Sequence, residues 1–257
     1  MDTAISTDGT PIAYDTFGSG PGLILIAGAM TDRSYYVPLA TALSSSFTVV
    51  TYDRRGRGDS GDSAQYQVER EWEDLDAVRK AAGAVYASAD SSGAVLLLRA
   101  VAAGVPFEKV AIMEPPFRVE GAPPAPPRYV ERLEEFIAAG NPGGAVEFFM
   151  VEAVGQPKEE VDGMKAMPFW AGLEAIAPTL SYDGRQMGDS EVPTELLKGI
   201  STPTLAVYST GSPDWLKQAV RSTGDALPAA EIRELPGEFH SPSPEALVPA
   251  LKEFYLG

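Results

Sequence analysis

Ala84-Val-Tyr-Ala-Ser-Ala-Asp90-Ser91-Ser92-Gly93-Ala-Val-Leu-Leu-Leu98 is the stretch that decides how this chain folds. Up to Asp90 it is a short, mostly apolar run suited to a strand; beyond Gly93 it is an apolar run of good helix formers. Small residues crowd the junction. A strand that turns sharply into a helix needs small residues two before and two after the tip, and such a tip exposes a strained polar side chain. Ala89 and Gly93 flank Ser91 in that way, so Ser91 is the candidate nucleophile. Read one residue earlier, Ser88 and Ser92 flank Asp90, which makes Asp90 the alternative nucleophile.

The rest of the chain sets the frame. Its 257 residues suffice for a large core, and 44% hydrophobic content argues for a folded protein. A formal charge of −16 argues against nucleic acid or an anionic membrane as partner, which leaves a small molecule. There is no cysteine, which excludes disulfides, thiolate metal sites and cysteine nucleophiles. With one histidine a histidine-based metal site is not expected, so the expectation is no metal and no cofactor. The beginning of the sequence lacks a basic, then apolar, leader pattern, and no apolar run is long enough to span a membrane. The corresponding expectation is a cytoplasmic protein.

Outward from the junction, extended runs at 4–6 and 11–16 surround an Asp8-Gly9 turn. Wholly apolar strands are expected at 23–27, 47–52 and 110–113, with helices at 35–43, 68–82 and 92–103. The helix at 68–82 carries Trp72, Leu75 and Val78 on one side and its charges on the other. After Glu114 the alternation breaks. A connector at 115–127 holds six prolines, and from 129 to 197 the pattern is helical throughout. Strand–helix alternation resumes at 204–209, 214–226, 232–235 and 244–255. The fold class is therefore α/β: a mostly parallel sheet covered by helices on both faces (1–117 and 200–257), interrupted by a helical cap at 118–199.

These segments together resemble the α/β-hydrolase superfamily, in its serine-nucleophile form with a helical cap. The resemblance rests on the Leu25-Ile-Ala27-Gly28-Ala29-Met30 loop, Tyr52-Asp-Arg-Arg-Gly-Arg-Gly-Asp-Ser60, the junction at Ser91, Met113-Glu114-Pro-Pro-Phe117 and Gly237-Glu-Phe-His240-Ser241. It implies that His240, in the loop after the last strand, is the base. It also implies an oxyanion hole of backbone N–H groups from Ser92 and from Ala29, with Met30 next in line. The family's usual acid position here holds Ser212. Glu114, ending the preceding core strand, is the preferred substitute and Asp214 the second; a dyad without an acid is the third arrangement. A carboxylate at Asp90 is unfavourable beside an oxyanion unless it is paired, and Arg99 or the Arg54–Arg57 cluster is available to neutralise it. The Asp53–Ser60 motif itself reads as structural, its arginines binding nearby carbonyls and carboxylates. Cap residues including Phe149, Trp170 and Tyr182 are candidates for an apolar substrate pocket.

The implied activity is cofactor-independent hydrolysis of an ester, lactone or thioester of a medium-sized apolar molecule through an acyl-enzyme. Three alternatives stay open. One is a non-hydrolytic enzyme on the same scaffold, such as a lyase, cyclase or cofactor-free oxygenase. Another is an Asp90-nucleophile epoxide hydrolase or dehalogenase. The third is a catalytically silent binding protein.

Overall fold

The computed structural model describes residues 1–63 and 65–257. The first part of the chain forms β1 (Asp2–Ile5), β2 (Pro11–Gly18), β3 (Gly22–Ile26), α1 (Val37–Leu43), β4 (Thr48–Tyr52), α2 (Val68–Ala82), β5 (Ala84–Asp90), α3 (Ser91–Ala102) and β6 (Lys109–Met113). Helices then follow one another: α4 (Tyr129–Ala138), α5 (Pro142–Phe148) running into a π-helical turn at Phe149–Ala153, α6 (Lys158–Met164), α7 (Trp170–Ile176), α8 (Leu180–Met187) and α9 (Thr194–Leu197). The chain returns to the sheet with β7 (Thr204–Ser209), α10 (Asp214–Ala226) and β8 (Ala230–Leu235). It ends with the short β9 (Gly237–Glu238) and β10 (Ser241–Pro242) and α11 (Pro244–Leu256).

Eight strands pair in the order β1-β2-β4-β3-β5-β6-β7-β8. Every pair from β4 to β8 is parallel, and β2 runs antiparallel to both of its neighbours. The parallel strands need helices on both faces, which is why β3 and β7 are buried at every position. Successive side chains point to opposite faces. Ile24 and Ile26 join the apolar cluster beneath α2, α3 and α10, while Leu23 and Leu25 join the one beneath α1 and α11. No position of the edge strand β8 is fully buried, and Glu231 and Glu234 are exposed, charges that protect an unpaired edge.

The inserted helices have a core of their own, built from Leu133, Val146, Phe148, Trp170 and Leu180. They lie between β6 and β7, so they cover the end of the sheet where parallel strands finish and where open α/β sheets bind ligands. One expectation changes at α2. Its buried stripe is Glu71, Asp74, Leu75 and Val78, while Trp72 is only half-buried, so two of its charges face inward. Their partners explain this: Glu71 binds Arg54, and Asp74 binds Arg55.

Candidate active site

β5 ends at Asp90 in extended conformation (φ −116°, ψ 157°), and Ser91 follows at φ 51°. That left-handed value costs a non-glycine residue about 1–2 kcal/mol. It is sustained because both flanks are fixed: β5 pairs with β3 and β6, and α3 is buried almost throughout. Gly93 allows the close approach. A Cβ there would stand 2.7 Å from the carbonyl oxygens of Ile26 and Ala27. The turn therefore presents Ser91, not Asp90, at its tip.

The cavity that Ser91 faces has a volume of 390 Å³, and His240 is on its wall. The His240 Nδ1 is 2.7 Å from Glu114 Oε2. Glu114 follows the last residue of β6, is buried, and accepts a second bond on Oε1 from the Ser209 N–H at 2.7 Å. The neighbouring strand thus holds the Glu114 carboxylate from one side and the His240 imidazole engages it from the other. Asp214, the second candidate, is exposed on the first turn of α10 and makes no hydrogen bond to the imidazole. It sits in solvent at the positive end of the helix, a stable place for a carboxylate. Ser212, at the family's usual acid position, supports the base in another way. Its Oγ accepts the backbone N–H of His240 at 2.9 Å.

Six non-glycine residues have positive φ among those described, and four of them are Met30, Ser91, Glu114 and His240. Such backbone strain persists only where the surroundings over-determine it, and it gathers at functional sites. Here it falls on the candidate nucleophile, the candidate acid and base, and the loop that follows β3.

In that loop Ala29 and Met30 line the cavity beside Ser91. Ser92 is the second residue of α3, so its N–H has no partner within the helix, and the helix dipole adds partial positive charge there. Gly28 lies so close to Ser91 that an added Cβ would meet the serine Cβ at 2.8 Å. Neither Arg99 nor the Arg54–Arg57 cluster, the two available partners, forms an ion pair with Asp90. Its Oδ1 accepts the Gly28 N–H at 2.9 Å, which turns the carboxylate into a clamp on the loop. Burial pushes the Asp90 carboxyl up from its ordinary value, with the nearby Tyr36 hydroxyl, His240 and the Gly28 N–H acting against that rise.

Of the candidate pocket residues, Phe149 lines the cavity, together with Met150, Met187 and Tyr129. Trp170 and Tyr182 do not. Trp170 belongs to the core of the inserted helices and donates its indole N–H to Glu174 at 3.0 Å. Tyr182 stacks on Tyr66 with ring centroids 3.8 Å apart and donates to Asp62. Aromatic identity does not separate these roles, since sequence alone leaves open which face of each helix turns inward. The proline connector reads as a spacer, yet Pro116 and the stretch 122–126 form one wall of the cavity, with Arg118 the one arginine among the lining residues.

The Arg54–Arg57 motif is buried and fully engaged. Arg54 binds both oxygens of Glu71, at 2.6 and 2.9 Å, and Arg55 binds Asp74. Arg57 donates to the carbonyl oxygens of Gly28 and Thr31. Both Arg54 and Arg57 also reach Asp183 of α8, a residue that no motif in the sequence marks.

With this geometry in view, comparison with known proteins is direct. A family model, alpha/beta hydrolase family, matches residues 23–250. The chain belongs to that family. An alpha/beta hydrolase from Sphaerobacter thermophilus DSM 20745 has a structure similar to this hydrolase at TM-score 0.93 and 45% identity, covering 99% of this chain and 100% of that one. An enol-lactonase from Burkholderia xenovorans LB400 shares the fold at TM-score 0.72 and 19% identity, over 100% of both chains. Among curated proteins, the uncharacterized hydrolase YraK of Bacillus subtilis (strain 168) is 34% identical over 97 residues, so the match spans 36% of that relative and 36% of this chain. No helix among the described residues is long and apolar enough to cross a membrane.

Proposed function

We propose that this hydrolase is a cofactor-independent serine esterase or lactonase that works through an acyl-enzyme on Ser91. The observation that carries the proposal is the Glu114–His240 pair, 2.7 Å apart, on the wall of the cavity that the left-handed Ser91 enters. In the first half-reaction Ser91 Oγ attacks the carbonyl carbon and its proton passes to His240 Nε2. Glu114 accepts the Nδ1–H, which fixes the tautomer and stabilises the imidazolium that forms. The carbonyl oxygen takes up negative charge between the N–H groups of Ala29 and Ser92. Collapse of the intermediate expels the alkoxide, protonated by His240. Water, deprotonated by the same imidazole, then attacks the acyl-enzyme and releases the acid and a free Ser91.

The lining supports a medium-sized, largely apolar substrate: Met30, Tyr129, Phe149, Met150, Met187 and Leu216 are among the residues of the wall. At 390 Å³ the cavity is at the small end of ligand sites, which suits a short acyl or lactone ring better than a long chain. The Asp90-nucleophile reading loses ground, because Asp90 ends the strand behind the tip and has an oxygen committed to Gly28. A fluorophosphonate probe tests the proposal. It is expected to label one site, on the peptide containing Ser91, and to abolish ester turnover in proportion. A folded protein that hydrolyses esters and remains unlabelled at Ser91 would refute it.

A further inference from the structure

Asp183 lies on α8 of the inserted helices, 91 residues from Ser92 in sequence, and is a buried residue of the cavity lining. Both of its oxygens are occupied by groups from the sheet domain. Oδ1 accepts from Arg54 Nη1 at 2.6 Å and from Ser92 Oγ at 2.7 Å, and Oδ2 accepts from Arg57 Nη2 at 2.7 Å. Burial acts to raise its carboxyl and is outweighed by Arg54 and Arg57, so it stays ionised. Two guanidiniums and two carboxylates, Arg54, Arg57, Glu71 and Asp183, thus balance in charge inside the protein.

What the two arginines hold is the oxyanion loop. Arg54 Nη1 donates to the Ala27 carbonyl at 3.3 Å, and Arg57 Nη1 donates to the carbonyls of Gly28 and Thr31. These residues bracket Ala29. The hydroxyl that Asp183 holds belongs to Ser92, the other oxyanion donor by its backbone. One carboxylate from the inserted helices therefore fixes the supports of both donors.

We propose that Asp183 is a positioning residue of the reaction: it ties the seating of α8 to the geometry of the oxyanion hole, so that a properly placed cap is a condition for stabilising the transition state. The proposal rests on the acyl-enzyme reading above. The effect is mechanical. A carboxylate whose oxygens are all committed to the protein is not free to bind substrate, yet a misplacement of about 1 Å in the groups that it aligns can cost on the order of 10²-fold in rate. Releasing α8 requires breaking three charge-assisted hydrogen bonds at once. On this reading α8 stays in place during turnover.

The test is Asp183→Asn, isosteric but uncharged, assayed with a short-chain ester and normalised by fluorophosphonate titration to the fraction of competent molecules. The expected result is a kcat lower by about 10- to 100-fold with KM within about twofold of wild type. A boronic acid that forms a tetrahedral adduct on Ser91 should lose affinity by a similar factor. Merely lowered stability would reduce the titratable fraction and leave kcat per competent molecule and boronate affinity unchanged, and that outcome overturns the proposal. Should Asp183→Asn fail to fold, Ser92→Ala removes only the hydroxyl leg. It is expected to lower kcat by about threefold or more, and a wild-type kcat would overturn the proposal equally. A Ser91→Ala variant that keeps full activity would refute the acyl-enzyme reading instead. In that case faster amide hydrogen exchange at 27–31 in Asp183→Asn would still support the strut, and unchanged exchange would overturn it.

Discussion

Two buried carboxylates, Glu114 and Asp183, anchor the surroundings of Ser91, and they are held on opposite principles. In one centre Glu114 and His240 meet by a single 2.7 Å contact, both on left-handed backbone at the ends of loops. In the other Arg54, Arg57, Glu71 and Asp183 form a closed network carried by a loop and two helices. The first is a single hydrogen-bonded pair whose imidazole stands on the cavity wall. The second is locked. Against the opposing effect of burial, Arg54 is held far above and Asp183 below their usual values by each other's charge, while burial and the neighbouring Arg54 draw Arg57 down. A site that moves protons needs one titratable pair, and it needs that pair's surroundings not to titrate with it.

The contrast can be broken from the side with the largest expected effect. Glu114→Gln keeps the shape of the acid and removes its charge. It should lower kcat by about 10³- to 10⁴-fold, the scale of losing the residue that orients a catalytic imidazole. Asp214→Asn should leave kcat within about twofold. Steady-state kinetics on both variants decides between the two carboxylates, and a reversed order would reassign the acid.

Arg54→Met probes the locked centre. It strands Glu71 with Tyr66 alone and deprives Asp183 of one of its two guanidiniums. Removing one partner from a buried ion network costs about 3–5 kcal/mol, and at about 2–4 °C per kcal/mol for a chain of this size the melting temperature should fall by roughly 10 °C. Calorimetry checks this, and a loss below about 1 kcal/mol would show that the network is not under the constraint described.

The smallest effect is expected at Asp90, which belongs to neither centre. Its folded-state value lies above the unfolded one because of burial. The folded protein therefore holds that proton more tightly, and the stability linked to it is full below the unfolded value and lost as pH rises through the folded value. Above the folded value the ionised carboxylate is a net cost. Asp90→Asn should melt above wild type there, since an amide oxygen can still accept the Gly28 N–H, and the gap should close as pH falls below that value. Melting curves across the acid range check this; a gap that widened on acidification would contradict the assignment.

Local chemistry explains which parts of this molecule are legible in its sequence. The elbow is, because a strand-to-helix turn over Ser91 needs small residues at Ala89 and Gly93 whatever surrounds it. The buried strands and α2, β7 and α10 are equally readable, since apolar runs and helical spacing act within a few residues. His240 stands out as the lone histidine beside a sheet end. Glu114 leads the candidate acids by its strand-end position, but its contact with the imidazole depends on a fold-back of 126 residues that no local pattern encodes. Asp183 escapes sequence reading for the same reason: it looks like any helix carboxylate until Arg54 and Arg57 are brought against it. Glu71 and Asp74 look like solvent-facing charges on an amphipathic helix. A cue to their burial does exist in the three arginines of the Asp53–Ser60 motif, which require buried anions somewhere. Trp170 and Tyr182 cannot be sorted from Phe149 because the inward face of each inserted helix is set by packing among those helices.

Acylation of Ser91 is the central claim. The direct measurement is mass spectrometry of protein mixed with a p-nitrophenyl ester and quenched in acid during the first turnover, with the adduct located by peptide mapping. One acyl group per chain is predicted on the peptide carrying Ser91, absent in Ser91→Ala and accumulating in Glu114→Gln if deacylation slows more than acylation. An active enzyme whose adduct sits on Asp90, or that turns over unimpaired as Ser91→Ala, would contradict it.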